Sequence, residues 1–337
     1  MAIDLTDTAL VDPITYATFG CQVPKKNIDT PDKLTPDVVV HLKGVAGGDL
    51  NTPDGKKIKY WSFVDPTQSA KPQYMGPLVR VRQGQVVHTV LDSSKGPHTI
   101  HHHGINPTTA NDGVGHVSFE VSGQYTYQWQ PHSAGTHFYH CHRNTVFHFE
   151  MGMFGLLIVD PPEGPGKLFQ NGPAYDVEKF WVLDDMDPRW HAIDNHDAGL
   201  CGQDVGFNRF EPKYFLMSGV FNNRTMTDPR TVITAPLGKK ILIRLLNASY
   251  SMLRVSLPVD ALCAGVDGHG LGKEQWNQPY VIPANTPFEM CPAQRMELIL
   301  APSRRGNFTA RLEFRHWITG QIQNNGAGVI QTRIIVT

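Results

Sequence analysis

Asp37-Val-Val-Val-His-Leu-Lys43, Lys57-Ile-Lys-Tyr-Trp-Ser-Phe63, Leu78-Val-Arg-Val-Arg82 and Val86-Val-His-Thr-Val-Leu91 follow one another with turn residues between them. Each run is short and rich in β-branched or aromatic residues, and several alternate apolar with polar, the period of a strand with one buried face. Tyr125-Thr-Tyr-Gln-Trp129 and Gly155-Leu-Leu-Ile-Val159 extend the pattern, which stops at Asp160-Pro-Pro-Glu-Gly-Pro165. A second β pattern begins near Phe180 and includes Lys240-Ile-Leu-Ile-Arg-Leu-Leu246, Met296-Glu-Leu-Ile-Leu300, Phe308-Thr-Ala-Arg-Leu-Glu-Phe314 and Val329-Ile-Gln-Thr-Arg-Ile-Ile-Val336. Strands at this spacing predict sandwiches or barrels, and 337 residues are enough for two domains. The expectation is an all-β chain of two tandem β-sandwiches: an N-terminal extension over 1–35, a first domain over 36–160, a linker over 161–178 and a second domain over 179–337. Asp184-Asp-Met-Asp-Pro-Arg-Trp-His-Ala-Ile-Asp-Asn-His-Asp197 reads as a solvated loop, with no metal role expected for His191 or His196.

Composition agrees with that reading and excludes several functions. The 40% apolar content supplies proper cores, and 31 Gly and 25 Pro without a period favour turns over long helices. A formal net charge of −1 gives no basic surplus for nucleic acid and no acidic tail. The sequence has no apolar run long enough for a membrane span, so none is expected. Met1 to Asp12 show neither the basic start nor the apolar stretch of a secretory signal.

Histidine carries the chemical information. Of 16 histidines, 11 fall between His88 and His148, a density that ordinary structural use does not explain. A type 1 (blue) copper site needs two imidazoles and a thiolate in a trigonal array with a weak axial thioether. Cys141, His148 and Met153 lie on one short stretch that a loop between strands can fold onto one ion, and His98 is placed to come from a distant strand. Met151 competes with Met153 for the axial position. His101 and His103 are two residues apart, as are His140 and His142, and residues i and i+2 of a strand face one side. The two pairs therefore predict a second copper centre beside the first, with His140 and His142 flanking the thiolate. The alternative is that they only hydrogen-bond the first site.

With Cys141 committed to copper, four cysteines remain. Cys263 and Cys291 could staple the second domain, and Cys21 and Cys201 could tie down the N-terminal extension; buried free thiols are the alternative. Disulfides would place the protein in an oxidising compartment, periplasmic or secreted.

His98-x-x-His101-x-His103-Gly104 and His140-Cys141-His142, followed by His148 and Met153, resemble the paired motifs of the multicopper oxidases, with the copper nitrite reductases as two-domain relatives. Met75-Gly-Pro-Leu-Val-Arg-Val-Arg-Gln-Gly84, Asn111-Asp-Gly-Val-Gly115, Ile243-Arg-Leu-Leu-Asn-Ala-Ser249, Val266-Asp-Gly268 and Pro292-Ala-Gln-Arg-Met-Glu-Leu-Ile299 extend the similarity over both domains. The resemblance implies two cupredoxin-like Greek-key sandwiches, the second without type 1 copper. It implies type 1 copper on His98, Cys141, His148 and Met153, and type 2/type 3-like copper on His101, His103, His140 and His142. It also implies one-electron oxidation of a small-molecule or redox-protein donor, transfer through Cys141, and O2 as acceptor.

The second domain departs from the oxidase pattern because it lacks a further His-x-His-Gly and a further His-x-His. After Phe180 only His191, His196, His269 and His316 remain. The nitrite reductase template offers another arrangement, a single type 2 copper between subunits of a homotrimer. There His316 stands where the neighbour's ligand falls, and His269 where a nearby non-ligating histidine falls. His101 stands where those enzymes have an Asp. An inter-subunit reductase of nitrite or a similar small molecule is thus one alternative, and a blue-copper electron carrier or copper-binding protein without turnover is another.

Overall fold

Alternation along Lys57–Val64 shows how the sequence pattern becomes a sheet: Ile58, Tyr60 and Ser62 turn inward while Lys57 and Lys59 face solvent. The computed structural model describes residues 25–26, 35–69, 71–93, 96–114, 119–200, 203–273 and 275–337. In the first half, one four-stranded sheet runs in the order Lys57–Val64, Val38–Asn51, Val87–Asp92, Gln124–Trp129. The facing sheet runs Val79–Arg82, Phe154–Asp160, Gly135–His140, His101–His103. Leu42, Phe63, Val81, Leu91, Tyr127, Trp129, Leu157 and Val159 fill the space between them, each large side chain contributing about 1.5–3 kcal/mol by leaving water.

The second half repeats the plan with larger sheets. Val177–Met186, Ile241–Asn247, Arg295–Leu300 and Ala261–Val266 are consecutive neighbours in one sheet. Val329–Val336, Gly306–Arg315, Met252–Ser256 and Phe288–Met290 are consecutive neighbours in the other. Trp181, Leu245, Leu298, Leu312 and Phe314 are among the side chains packed between these sheets. The chain is therefore all-β with two packed sandwiches, as the strand spacing predicts. No helix among the described residues is long and apolar enough to cross a membrane.

The sandwiches meet through both apolar and charged groups. Phe138, Phe154, Leu156 and Ile158 of the first pack with Val182, Leu246 and Ala248 of the second. Beside them Arg80 binds Asp160 at 2.6 Å and Glu178 at 2.7 Å, and Glu178 also accepts from Arg244 Nε at 2.6 Å. Arg244 is fully buried. Burial works against the Glu178 charge, yet Arg244 and Arg80 hold its carboxyl below the usual carboxylate range.

Two expectations need correction. Cys263 and Cys291 are free thiols, the first buried and the second exposed. Cys263 lies in the Ala261–Val266 strand of one sheet, whereas Cys291 follows the Phe288–Met290 strand of the other, so the core separates them. The pairing of Cys21 with Cys201 falls outside the described residues, as does the 1–35 extension apart from Lys25–Lys26, which pairs with Glu120–Val121, and Thr35.

Residues 184–197 are likewise not a fully solvated loop. Asp184, Asp185, Asp187, Trp190 and His191 are buried, and the three carboxylates and His191 Nδ1 each find a partner. Tyr74 donates to Asp184, Tyr250 N–H and Ser251 Oγ donate to Asp185, Arg189 and Glu211 N–H groups donate to Asp187, and His191 Nδ1 lies 2.6 Å from the Lys59 carbonyl.

Burial pushes Asp185 up to about 7 from an ordinary 3.8. The folded chain then holds a proton that the unfolded chain has released, so this group's stabilisation is complete below the unfolded value and is lost as pH rises through the folded one. Asp185→Asn keeps an acceptor for Tyr250 N–H. It should flatten the decline in denaturant midpoint between about pH 4 and pH 7; a slope equal to that of the parent protein would exclude Asp185 as its source.

Candidate copper centres

The first cluster forms where three separate pieces of chain converge. Cys141 follows the Gly135–His140 strand, His148 sits on the short helix Thr145–Glu150, and His98 is bridged to Val121 from across the sandwich. Cys141 Sγ lies 3.3 Å from His148 Nδ1 and 3.7 Å from His98 Nδ1, and all three residues are buried. Met153 shares the core of Cys141, while Met151 packs in a separate cluster with Phe147 and Ala198. A Cβ on Gly44 would meet both the His98 ring, at 2.8 Å, and Met153 Cε, at 3.4 Å. His98 and Met153 thus flank the same backbone position, which favours Met153 over Met151 as the axial group.

Electrostatics prepare these groups for a metal. Burial drives His98 and His148 well below the usual histidine range, leaving neutral imidazoles with a free lone pair. Burial pushes the Cys141 thiol up to about 11, so a metal must displace its proton. One thiolate, two imidazoles and a nearby thioether are the donor set that suits copper.

The second cluster lies on the adjoining strands. His101 pairs with His140 across the sheet, and a donor nitrogen from each of His101, His103 and His140 falls within 4.8 Å of the others. The His142 ring centre is 5.3 Å from that of His101, at the edge of this group and outside the tight triad. His101 Nδ1 is 2.8 Å from the Asp112 carbonyl and His140 Nδ1 is 3.0 Å from the Cys141 carbonyl. Such contacts fix a ring's orientation and leave its other nitrogen for a metal. Burial lowers His103 to about 3 and His140 well below the ordinary value.

A cavity of about 290 Å³ opens over this cluster, and the second sandwich lines it with Ala248, Ser249, Tyr250, Pro292 and Ala293. None of these carries an imidazole. His316 lies in a different groove, with Trp190, Phe210, Tyr250 and Trp317, and its Nδ1 accepts from the N–H groups of Ile318 and Thr319. Within one chain, therefore, His316 does not join His101, His103 and His140. His269 is exposed.

Several residues at the first cluster escaped the sequence reading. His148 Nε2 lies 3.1 Å from the His196 carbonyl, and the His196 ring packs 4.3 Å from His148, 4.9 Å from His98 and 5.3 Å from Trp61, centre to centre. The buried Arg143 holds the segment, with Nη1 2.8 Å from Asp197 and Nε 3.0 Å from Glu120. The only local hint was a Trp and two His inside an otherwise polar stretch.

Paired sandwiches with a cysteine and imidazole cluster next to an imidazole triad are compatible with copper binding, and the comparisons with known proteins point the same way. Residues 64–164 match the multicopper oxidase family model. An L-ascorbate oxidase from Cucumis sativus is 32% identical over 157 residues, covering 44% of this chain and 25% of that protein. A copper-containing nitrite reductase from Neisseria meningitidis is 30% identical over 120 residues, covering 34% and 28%. The chain thus spans about a quarter of the length of these curated relatives. Among solved structures, a blue copper oxidase from Nitrosomonas europaea superposes with a TM-score of 0.67 at 22% identity, covering 89% of this chain and 86% of that one. A copper nitrite reductase from the same organism gives 0.61 at 19% identity, covering 89% and 93%.

Proposed function

We propose that this protein is a copper-dependent oxidoreductase that takes single electrons from a donor at a type 1 site and passes them to O2 at a histidine-rich second centre. The observation that carries the reading is the continuity of His140-Cys141-His142: the sulfur of the first cluster belongs to the residue between two imidazoles of the second region. Copper, when bound, supplies one-electron redox chemistry at the first cluster and small-molecule binding at the second. His98, Cys141, His148 and Met153 would hold the first ion, and His101, His103 and His140 would hold the second, with His142 beside them. Cys141 offers a covalent route from sulfur through backbone to His140. Asp112 and the Cys141 carbonyl orient the imidazoles, and Phe138, Phe149 and Tyr250 narrow the cavity against water.

A second reading rests on the cavity wall. The chain's own second sandwich brings no imidazole to the triad, which supports a mononuclear type 2 centre completed by His316 of a neighbouring copy in a homotrimer, acting on nitrite or a similar small molecule. In that case the assembly is symmetric and each copy both gives and receives the ligand. A periplasmic or secreted location accords with either reading.

Copper content, EPR and O2 uptake on fully loaded protein separate these readings. The oxidase reading expects a type 1 signal, additional EPR-silent coupled copper and O2 uptake with a phenolic donor. A type 1 signal with one type 2 signal and no O2 uptake sinks it in favour of the reductase, and a type 1 signal alone leaves an electron carrier.

A further inference from the structure

A groove of about 740 Å³ runs along the second sandwich, inside the roughly 300–1,000 Å³ typical of ligand clefts. Part of its lining is an aromatic cluster. Phe210 packs 5.1 Å from both Trp190 and Tyr250, centre to centre, and Phe207 packs 4.8 Å from Trp190, so the rings brace one another. Trp317 is 71% exposed, on a turn held by the Ile318 and Thr319 N–H groups donating to His316 Nδ1. Among the described residues its indole has neither a ring partner nor a hydrogen bond. Asn208, Asn324 and Asn325 add planar amides to the wall, and none of these amides is bonded to another described residue. Asn324 and Asn325 both have left-handed backbone, with φ of 48° and 52°, and the Gly326 and Ala327 N–H groups donate to the Gln323 and Asn324 carbonyls to close the turn that presents them. Turn geometry accounts for asparagine at these two positions; it leaves their amide groups without a partner. Charge is mostly neutralised locally: Glu211 lies 3.4 Å from Arg209 and 3.0 Å from Arg189, and of the charged residues lining the groove only Lys213 lacks an ionic partner among the described residues.

We propose that this groove binds a neutral β-linked oligosaccharide and so anchors the protein on an extended polysaccharide. Sugar rings joined through equatorial bonds lie flat, with C–H groups on their faces and hydroxyls around their edges. An exposed indole matches the faces. Planar amides, each with two donors and a carbonyl acceptor, match neighbouring hydroxyls. A charged ligand gains little from side chains that already neutralise one another. A second copy of this chain fits the groove less well, because the cores of protein interfaces are depleted of charge, whereas Arg209, Glu211 and Lys213 line this wall. The site is complete within one chain and uses none of the copper ligands of the oxidase reading, so it stands apart from that reading. A homotrimer that gives His316 to a neighbour's copper would close it.

Isothermal titration of the copper-loaded full chain with cellohexaose tests the groove. The parent chain should bind, and its tryptophan emission should shift to the blue as Trp317 leaves water. Trp317→Ala should weaken binding at least tenfold. Asn325→Gly, which removes the amide and suits the positive φ, should weaken it about fivefold. Both side chains are exposed, so melting temperature, copper content and blue band should match those of the parent. Maltohexaose, whose axial bonds coil the chain away from a flat surface, should bind at least tenfold more weakly than cellohexaose. Failure of the parent to bind cellohexaose, or full affinity in the Trp317→Ala chain, overturns the proposal. Tighter binding of an oligogalacturonate than of cellohexaose overturns the neutral class of ligand, and a trimeric parent that binds no sugar places a second copy in the groove instead.

Discussion

Cys141→Ser is expected to remove the blue absorption of the copper-loaded protein completely, because the band depends on a thiolate bound to the ion and the cluster contains one sulfur anion donor. The stability readout should move in parallel. A ligand present at about a thousand times its dissociation constant stabilises the folded state by about 4 kcal/mol, so copper should raise the melting temperature of the parent protein. It should do so far less in the variant. Serine is close to isosteric with the thiol, and Cys141 is fully buried among Tyr139, Met153 and Ile100, so metal-free stability should change by little more than one buried sulfur. A variant that remains blue would remove Cys141 from the site.

The second large effect lies at the contact between the sandwiches. Glu178 accepts from Arg80 and from the fully buried Arg244, and Arg244 also donates to Thr136 Oγ1 at 3.2 Å. Glu178→Ala would leave the Arg244 charge buried without its carboxylate partner, a change that costs about 3–5 kcal/mol. Urea or guanidinium midpoints should fall accordingly. The simultaneous replacement Glu178→Leu with Arg244→Met removes both charges and should recover much of the loss. A single variant as stable as its parent would show that Arg244 finds another anion. The pH dependence has a definite sign. The Glu178 pKa is depressed in the folded state, so its contribution is complete above the ordinary carboxylate value and is lost as pH falls through the folded one. Asp185 acts in the opposite sense, since its raised pKa erodes stability as pH rises.

These charged residues also mark where local reading fails. Asp184, Asp185 and Asp187 look like a solvated loop because acidic residues close in sequence usually repel one another into water. They are buried because Tyr74, Tyr250, Ser251 and Glu211, all distant in sequence, bring donors to them. The Cys263 and Cys291 thiols failed for the converse reason: proximity in sequence said nothing about the two sheets that carry them.

The histidine clusters were legible for equally physical reasons. Alternation with period two put His101 with His103, and placed His140 where a cross-strand partner could meet them; the strand register supplied the contact. The set of one cysteine, two histidines and a methionine identifies a copper-type donor set by chemistry alone, before any fold is known. Strand length, alternation and the turn-rich break after Asp160 likewise specify two β-sandwiches. All of this is local information, carried by residue type and short spacing. Whether Met153 or Met151 flanks the cluster, whether the second sandwich contributes an imidazole, and which histidine edge faces outward depend on how distant segments pack. Residue type makes His98 and His148 alike as imidazoles; the tertiary structure covers His148 with His196, because Arg143 and Asn144 anchor residues 197 and 198 there, while His98 lines a small surface depression with Val45, Ala46 and Trp61.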